Sequence, residues 1–205
     1  MKEYIVVKAS SNDFNVSFDE ALKHSKTDIF GAVADGADTP LKTFFKMGYT
    51  SDALIVKFKS EYAGELNGEY AHFGSLVYRH DCVEIFLSPY GDLKNYYEFD
   101  VSPYNGLFAA KIYNIDNFDA EGTPFAENPI KTRAKINEKT YEVSYEIPFK
   151  AIVKSEDLSN VKNLPWLFNA FRVEVIGGER TSRSLYPTGS RTHHNAHAFL
   201  KIKFE

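Results

Sequence analysis

Apolar and polar positions alternate along much of the chain. In "DCVEIFLSP" (81–89), Val83, Ile85 and Leu87 share one parity, and Cys82, Glu84, Phe86 and Ser88 the other. In "NYYEFDVSP" (95–103), Tyr97, Phe99 and Val101 alternate with Tyr96, Glu98, Asp100 and Ser102. Period two marks a strand whose side chains go to opposite faces. The same texture recurs at 3–8, 42–49, 53–61, 106–114, 130–137, 140–148, 167–176 and 198–205. Short turn-forming links at 50–52, 90–93 and 137–139 predict hairpins. Helix signals are scarce. Ser17 is an N-cap-like start for two turns over 17–25, and Pro148 opens one short helix over 148–155. Many short strands with regular turns predict an all-β fold, a β-sandwich or barrel with one or two short helices. The stretch 115–129 reads as a surface loop. No repeat, low-complexity tract or linker divides the chain, so one domain over 1–205 is expected.

Composition narrows the function. The 205 residues are 43% hydrophobic and 15% aromatic, enough for one sizeable core without metals or disulfides. The net charge of -4 with no Lys/Arg block argues against a nucleic-acid partner. No apolar run approaches the ~18 residues of a membrane span. The start "MKEYIVVKASSNDF" lacks a signal-peptide pattern, which predicts a cytoplasmic location unless a leader has been removed. Cys82 is the single cysteine, expected in the core.

The hairpin 81–103 carries the chemistry. Its strands pair antiparallel across a short turn, with Val83, Ile85 and Leu87 in the core. Glu84, Glu98, Asp100, Tyr96 and Phe86 then share the opposite face. Three chemistries use clustered carboxylates beside aromatics. Glycoside hydrolysis needs two carboxyl groups about 5–10 Å apart. Hard-cation binding needs about 6–8 oxygens. Sugar binding without chemistry uses acids to accept hydroxyl hydrogen bonds and ring faces to cover C–H groups.

"DCVEIFLSP" followed by "YYEFDVSP" and Gly106 resembles the central hairpin of the family 9 carbohydrate-binding modules. In the same order, "YEVSYEIPF" (141–149), "WLFNAFRVE" (166–174) and "HHNAHAFLKIKF" (193–204) resemble later segments of that family. The likeness runs from about residue 40 to the end. It implies a β-sandwich of jelly-roll type that binds a mono- or oligosaccharide without catalysis, with calcium as a compatible ion and no required cofactor. It implies sugar contacts from Glu84, from Tyr78 as one aromatic platform, and from His193 as the second, with His194 beside it. Asp100 stands where the family has a basic sugar contact. The family often has Trp at the positions of Tyr78 and His193.

Phe168, Ala170, Arg172 and Glu174 share a face, where Arg172 would neutralise Glu84 or Asp100, grip a ligand oxygen, or form a buried ion pair. "HHNAHA" (193–198) reads as a loop, which does not converge its histidines on zinc. The acidic Asp116, Asp119 and Glu121 are weak calcium candidates without EF-hand spacing. Trp166 reads as a core anchor. The expected site is therefore a recess where Glu84, Asp100 and Arg172 leave the sheet, rimmed by Tyr78, His193 and His194. Alternatives are a sandwich that has lost sugar binding and serves as an interaction protein, and an enzyme using Glu84 with Glu98 or Asp100.

Overall fold

The computed structural model describes residues 2–68, 72–117 and 119–205. Fourteen strands dominate the described residues. They are β1 (Glu3–Lys8), β2 (Asp28–Ile29), β3 (Gly31–Ala32), β4 (Thr43–Tyr49), β5 (Ala53–Glu61), β6 (Cys82–Ser88) and β7 (Asn95–Val101). Then follow β8 (Leu107–Asn114), β9 (Ala120–Pro124), β10 (Lys131–Ile136), β11 (Thr140–Pro148), β12 (Leu167–Ile176), β13 (Glu179–Ser184) and β14 (Leu200–Phe204). One short helix, α1 (Phe149–Ile152), follows β11. The fold is an all-β sandwich, as the alternation predicted.

One sheet runs β10-β11-β5-β4-β1, and the other β1-β14-β12-β6-β7-β8-β9. β1 belongs to both. Glu3–Val6 pair in parallel with Lys201–Phe204 of β14, whereas Val7 and Lys8 pair with Gly48 and Tyr49 of β4. Between the sheets lies the main core. Phe45, Val56 and Phe58 meet Val83, Ile85, Phe99 and Phe168 there, all fully buried. Trp166 is buried in this core and donates from Nε1 to the Val161 carbonyl at 2.8 Å.

The hairpin of β6 and β7 is antiparallel, with Glu84 opposite Asp100 and Phe86 opposite Glu98. Val83, Ile85 and Leu87 face the main core, as expected. The other face of this sheet is covered as well. Cys82, Phe86, Tyr96, Phe108, Phe171 and Phe199 form a second apolar cluster there. β6, β7 and β12 are thus largely buried on both faces, unlike a half-solvated antiparallel sheet.

Two expectations need correction. Residues 17–25 do not form two helical turns. The Ala21 amide bonds the Ser17 carbonyl at 2.9 Å, but Leu22 then turns left-handed at φ 50°. The carbonyls of Phe18 and Ala21, which a helix would use, instead accept from the buried Lys46 ammonium at 3.0 and 3.1 Å. Second, 115–129 contains β9, which pairs along β8. Its sequence "AEGTP" has no alternation to reveal it; the partner strand imposes the pairing. The stretch "GGERTSRS" (177–184), for which the alternation predicts no element, holds β13, a polar strand whose pairing to β12 is likewise set by the neighbour.

Candidate functional site

A cleft of about 820 Å³ opens on the outer face of the second sheet. That lies within the ~300–1,000 Å³ typical of small-molecule sites. Its floor is built by strand parity: Glu84 and Phe86 from β6, Glu98 from β7, Phe108 and Ile112 from β8. The segment after β13 supplies Arg191, Thr192, His193 and His194. Tyr78, on a 3₁₀ turn (Val77–Arg79), and Leu76 line it too. Arg180 of β13 and Arg191 are exposed at its mouth.

The carboxyl groups differ sharply in environment. Glu84 is 1% exposed. Its Oε2 lies 2.7 Å from His193 Nδ1, and its Oε1 accepts from the Cys82 thiol at 3.4 Å. Burial pushes its pKa up, but the charge and hydrogen bond of His193 outweigh that and hold it below the usual glutamate value. Glu98 has no such cation. Burial, then the Glu84 charge, push it up to about 8. Asp100 is wholly buried beneath the floor, and burial with the neighbouring Glu98 and Glu84 raises it well above the usual range. At neutral pH the floor therefore presents an ionised Glu84 beside a protonated Glu98.

The two histidines are fixed differently. The His193 ring lies flat on Phe171, centroids 4.4 Å apart at 4°. His194 stacks on Phe86 at 5.3 Å, and its Nδ1 lies 2.7 Å from the Tyr96 hydroxyl. Burial, then the His193 charge, push His194 down to about 4, so it is neutral at pH 7. The Tyr96 hydroxyl then donates to Nδ1. The Asn114 amide holds the His194 carbonyl at 2.7 Å, tying the segment to β8. Tyr78 is half-buried, packs edge-on against Phe108 at 5.0 Å, and carries the Arg79 guanidinium 5.9 Å from its ring centre.

Of the residues expected from sequence, the structure brings Tyr78, Glu84, His193 and His194 to one cleft. Asp100 is adjacent but sealed under it. Arg172 is not part of it. It stands opposite Val83 on the main-core side of β12, so it cannot reach Glu84. There its guanidinium bonds Thr43 Oγ1 at 3.1 Å, the Glu61 carbonyl at 2.5 Å and Glu174 Oε1 at 3.0 Å. Glu174 also pairs with Arg183. Arg172 thus ties the two sheets together. Asp116, Asp119 and Glu121 are not gathered as a calcium site either. Asp116 Oδ1 accepts from the Asp119 amide at 2.9 Å, Glu121 is exposed on β9, and among the described residues no three such side chains converge on a metal position. Arg180, Arg191, Phe108 and Ile112 were missed. The two arginines lie on a polar strand and a loop that carry no periodic signal.

The chain is thus a β-sandwich with a cleft floored by carboxyl groups and walled by aromatic rings. Over 100% of this chain, the fold matches a candidate carbohydrate-binding protein from Bacteroides uniformis (TM-score 0.77, 17% identity, 99% of that chain). It also matches a family 9 carbohydrate-binding module from Caldicellulosiruptor kristjanssonii in complexes with cellotriose (TM-score 0.66, 19% identity, 94% of that chain) and glucose (0.65, 19%, 96%). In sequence, an extracellular protein of Arthroderma benhamiae is 24% identical over 163 residues, covering 71% of this chain and 67% of that one. No protein-family model matches the chain.

Proposed function

We propose that the chain is one non-catalytic module that binds a saccharide in the cleft above β6, β7 and β8. The observation that carries this reading is the floor itself. Two carboxyl groups, Glu84 and Glu98, line it among aromatic rings, and burial favours the proton on Glu98, which makes a mixed acceptor and donor set suited to the alternating hydroxyl and C–H surface of a sugar. Glu84 accepts hydroxyl bonds, Glu98 both donates and accepts, and Tyr78, Phe86 and Phe108 supply apolar cover. The solved modules with the same fold hold cellotriose and glucose. Hydrogen bonds to charged groups contribute about 1.5–3 kcal/mol each, and immobilising the ligand offsets much of that. A dissociation constant of roughly 10 µM to 1 mM is expected.

Calorimetric titration with glucose, cellobiose and a panel of other glycans tests this reading. Saturable binding, weakened at least about tenfold in Glu84→Ala and less in Tyr78→Ala, supports it. The order follows from the contacts, since loss of Glu84 also leaves His193 buried without its partner. Silence across the panel favours the interaction-protein alternative.

The split protonation of Glu84 and Glu98 is also what an acid–base pair would show. Both oxygens of Glu84 are engaged by Cys82 and His193, however, which leaves it poorly placed to attack a sugar carbon. Turnover of an aryl glycoside, abolished in Glu98→Gln, would establish the enzyme instead.

A further inference from the structure

The chain is acidic overall, with a net charge of -4, yet the mouth of its cleft is cationic. Arg180 and Arg191 both line the opening, and neither has an ion-pair partner among the described residues. Two arginines behind the cleft behave differently: Arg172 and Arg183 share Glu174. Arg180 is also held in position, its Nη2 donating to the Tyr78 carbonyl at 3.3 Å. That places its charge beside the aromatic wall and within electrostatic reach of Glu84 and Asp100. Arg79 adds a further positive charge above Tyr78.

We propose that the preferred ligand is an acidic saccharide, a sugar ring bearing a carboxylate such as a hexuronate, whose anion is taken by Arg180 and Arg191 while the ring rests on the carboxyl floor. This rests on the reading of the cleft as a sugar site. A guanidinium presents a planar fork of donors matched to a carboxylate, and a neutral sugar has no group that uses it fully. The floor does not cancel the effect. Glu84 is already hydrogen-bonded to His193 Nδ1 at 2.7 Å, and the burial of Glu98 favours its neutral form at pH 7. Among the groups that line the cleft, this leaves the two arginines as the unmatched charges.

The test compares sugars that differ only in the carboxylate. Methyl β-glucoside and methyl β-glucuronide, and the corresponding galactoside and galacturonide, are titrated into the protein at pH 7. At low salt one uronide should bind about 3–10-fold more tightly than its neutral counterpart. At about 0.5 M NaCl the ratio should shrink, because the arginines are exposed and screened. In the double variant Arg180→Gln/Arg191→Gln it should approach one. Equal or tighter binding of the neutral sugar overturns the inference but leaves the sugar site intact. A preference that survives the double variant overturns the assignment to these arginines. If none of the four binds, the sugar site and the inference fall together.

Discussion

Glu98 gives the cleft a measurable pH signature. Its carboxyl is raised from 4.5 to about 8 by burial and the Glu84 charge, and Asp100 moves in the same direction. A group that holds its proton more tightly when folded adds stability in full below its unfolded pKa and loses it as pH rises through the folded one. Glu98 acts between pH 4.5 and 8, but His194, lowered from 6.5 to about 4 by burial, gains stability as pH rises to 6.5 and offsets it there, so the net window is pH 6.5 to 8. Between pH 6.5 and 8 the ligand-free protein should lose on the order of 1–2 kcal/mol, or about 2–8 °C in Tm. Glu98→Gln should flatten that slope. Lys57 acts oppositely, since burial lowers it from 10.5 to about 8, but its effect lies above pH 8. A Tm that is flat or rising across the window in wild-type protein would contradict the assignment. The carboxylates themselves were legible from strand parity alone. Their ionisation was not, because it depends on His193, more than a hundred residues away in sequence.

At the scale of elements, β12 shows why parity sometimes fails. Leu167, Phe171 and Val173 pack in the outer cluster, while Phe168 and Ala170 pack in the main core. With both parities apolar, the pattern does not say which face carries Arg172. Only the pairing with β6 decides it, and it sends the guanidinium between the sheets. The consequence can be tested. Arg172→Leu removes bonds to Thr43 and Glu61 and deprives Glu174 of one partner. Breaking a buried ion pair from one side costs about 3–5 kcal/mol. Tm should fall by about 6–20 °C, while sugar affinity, measured where the variant is folded, should change less than about twofold. Lost affinity with unchanged Tm would return Arg172 to the site. The same scale explains the failed helix at 17–25. Ser17 was a reasonable cap, but the Lys46 ammonium of β4 competes for the carbonyls, and the Asp13 carboxylate takes the Leu22 amide at 3.0 Å. Local propensity yields to a tertiary contact of that kind.

Across the molecule, the strands with strong period-two alternation all formed, because the buried face of each had to find a core. The polar strands β9 and β13 exist only through their neighbours, which is why the cleft's side walls and its arginines escaped the sequence. Arg172 joins the sheets through the middle, as does the Tyr145 hydroxyl of β11 donating to the Val83 carbonyl of β6, and β1 joins them along one side. In β1, Val6 is fully buried in the main core, and its backbone lies at the point where pairing passes from β14 to β4. A carboxylate there would lie in the apolar main core, where burial is incompatible with charge. Val6→Asp should therefore cost more than about 4 kcal/mol at neutral pH. The loss should be shared by both sheets, because each borders on the same stretch of chain. Amide hydrogen exchange reads this directly. Protection should fall together in β4 and β5 of one sheet and in β12 and β14 of the other. If β12 and β14 kept wild-type protection while β4 and β5 lost theirs, the sheets would be separate folding units, and β1 would be an accessory to one of them rather than the seam between both.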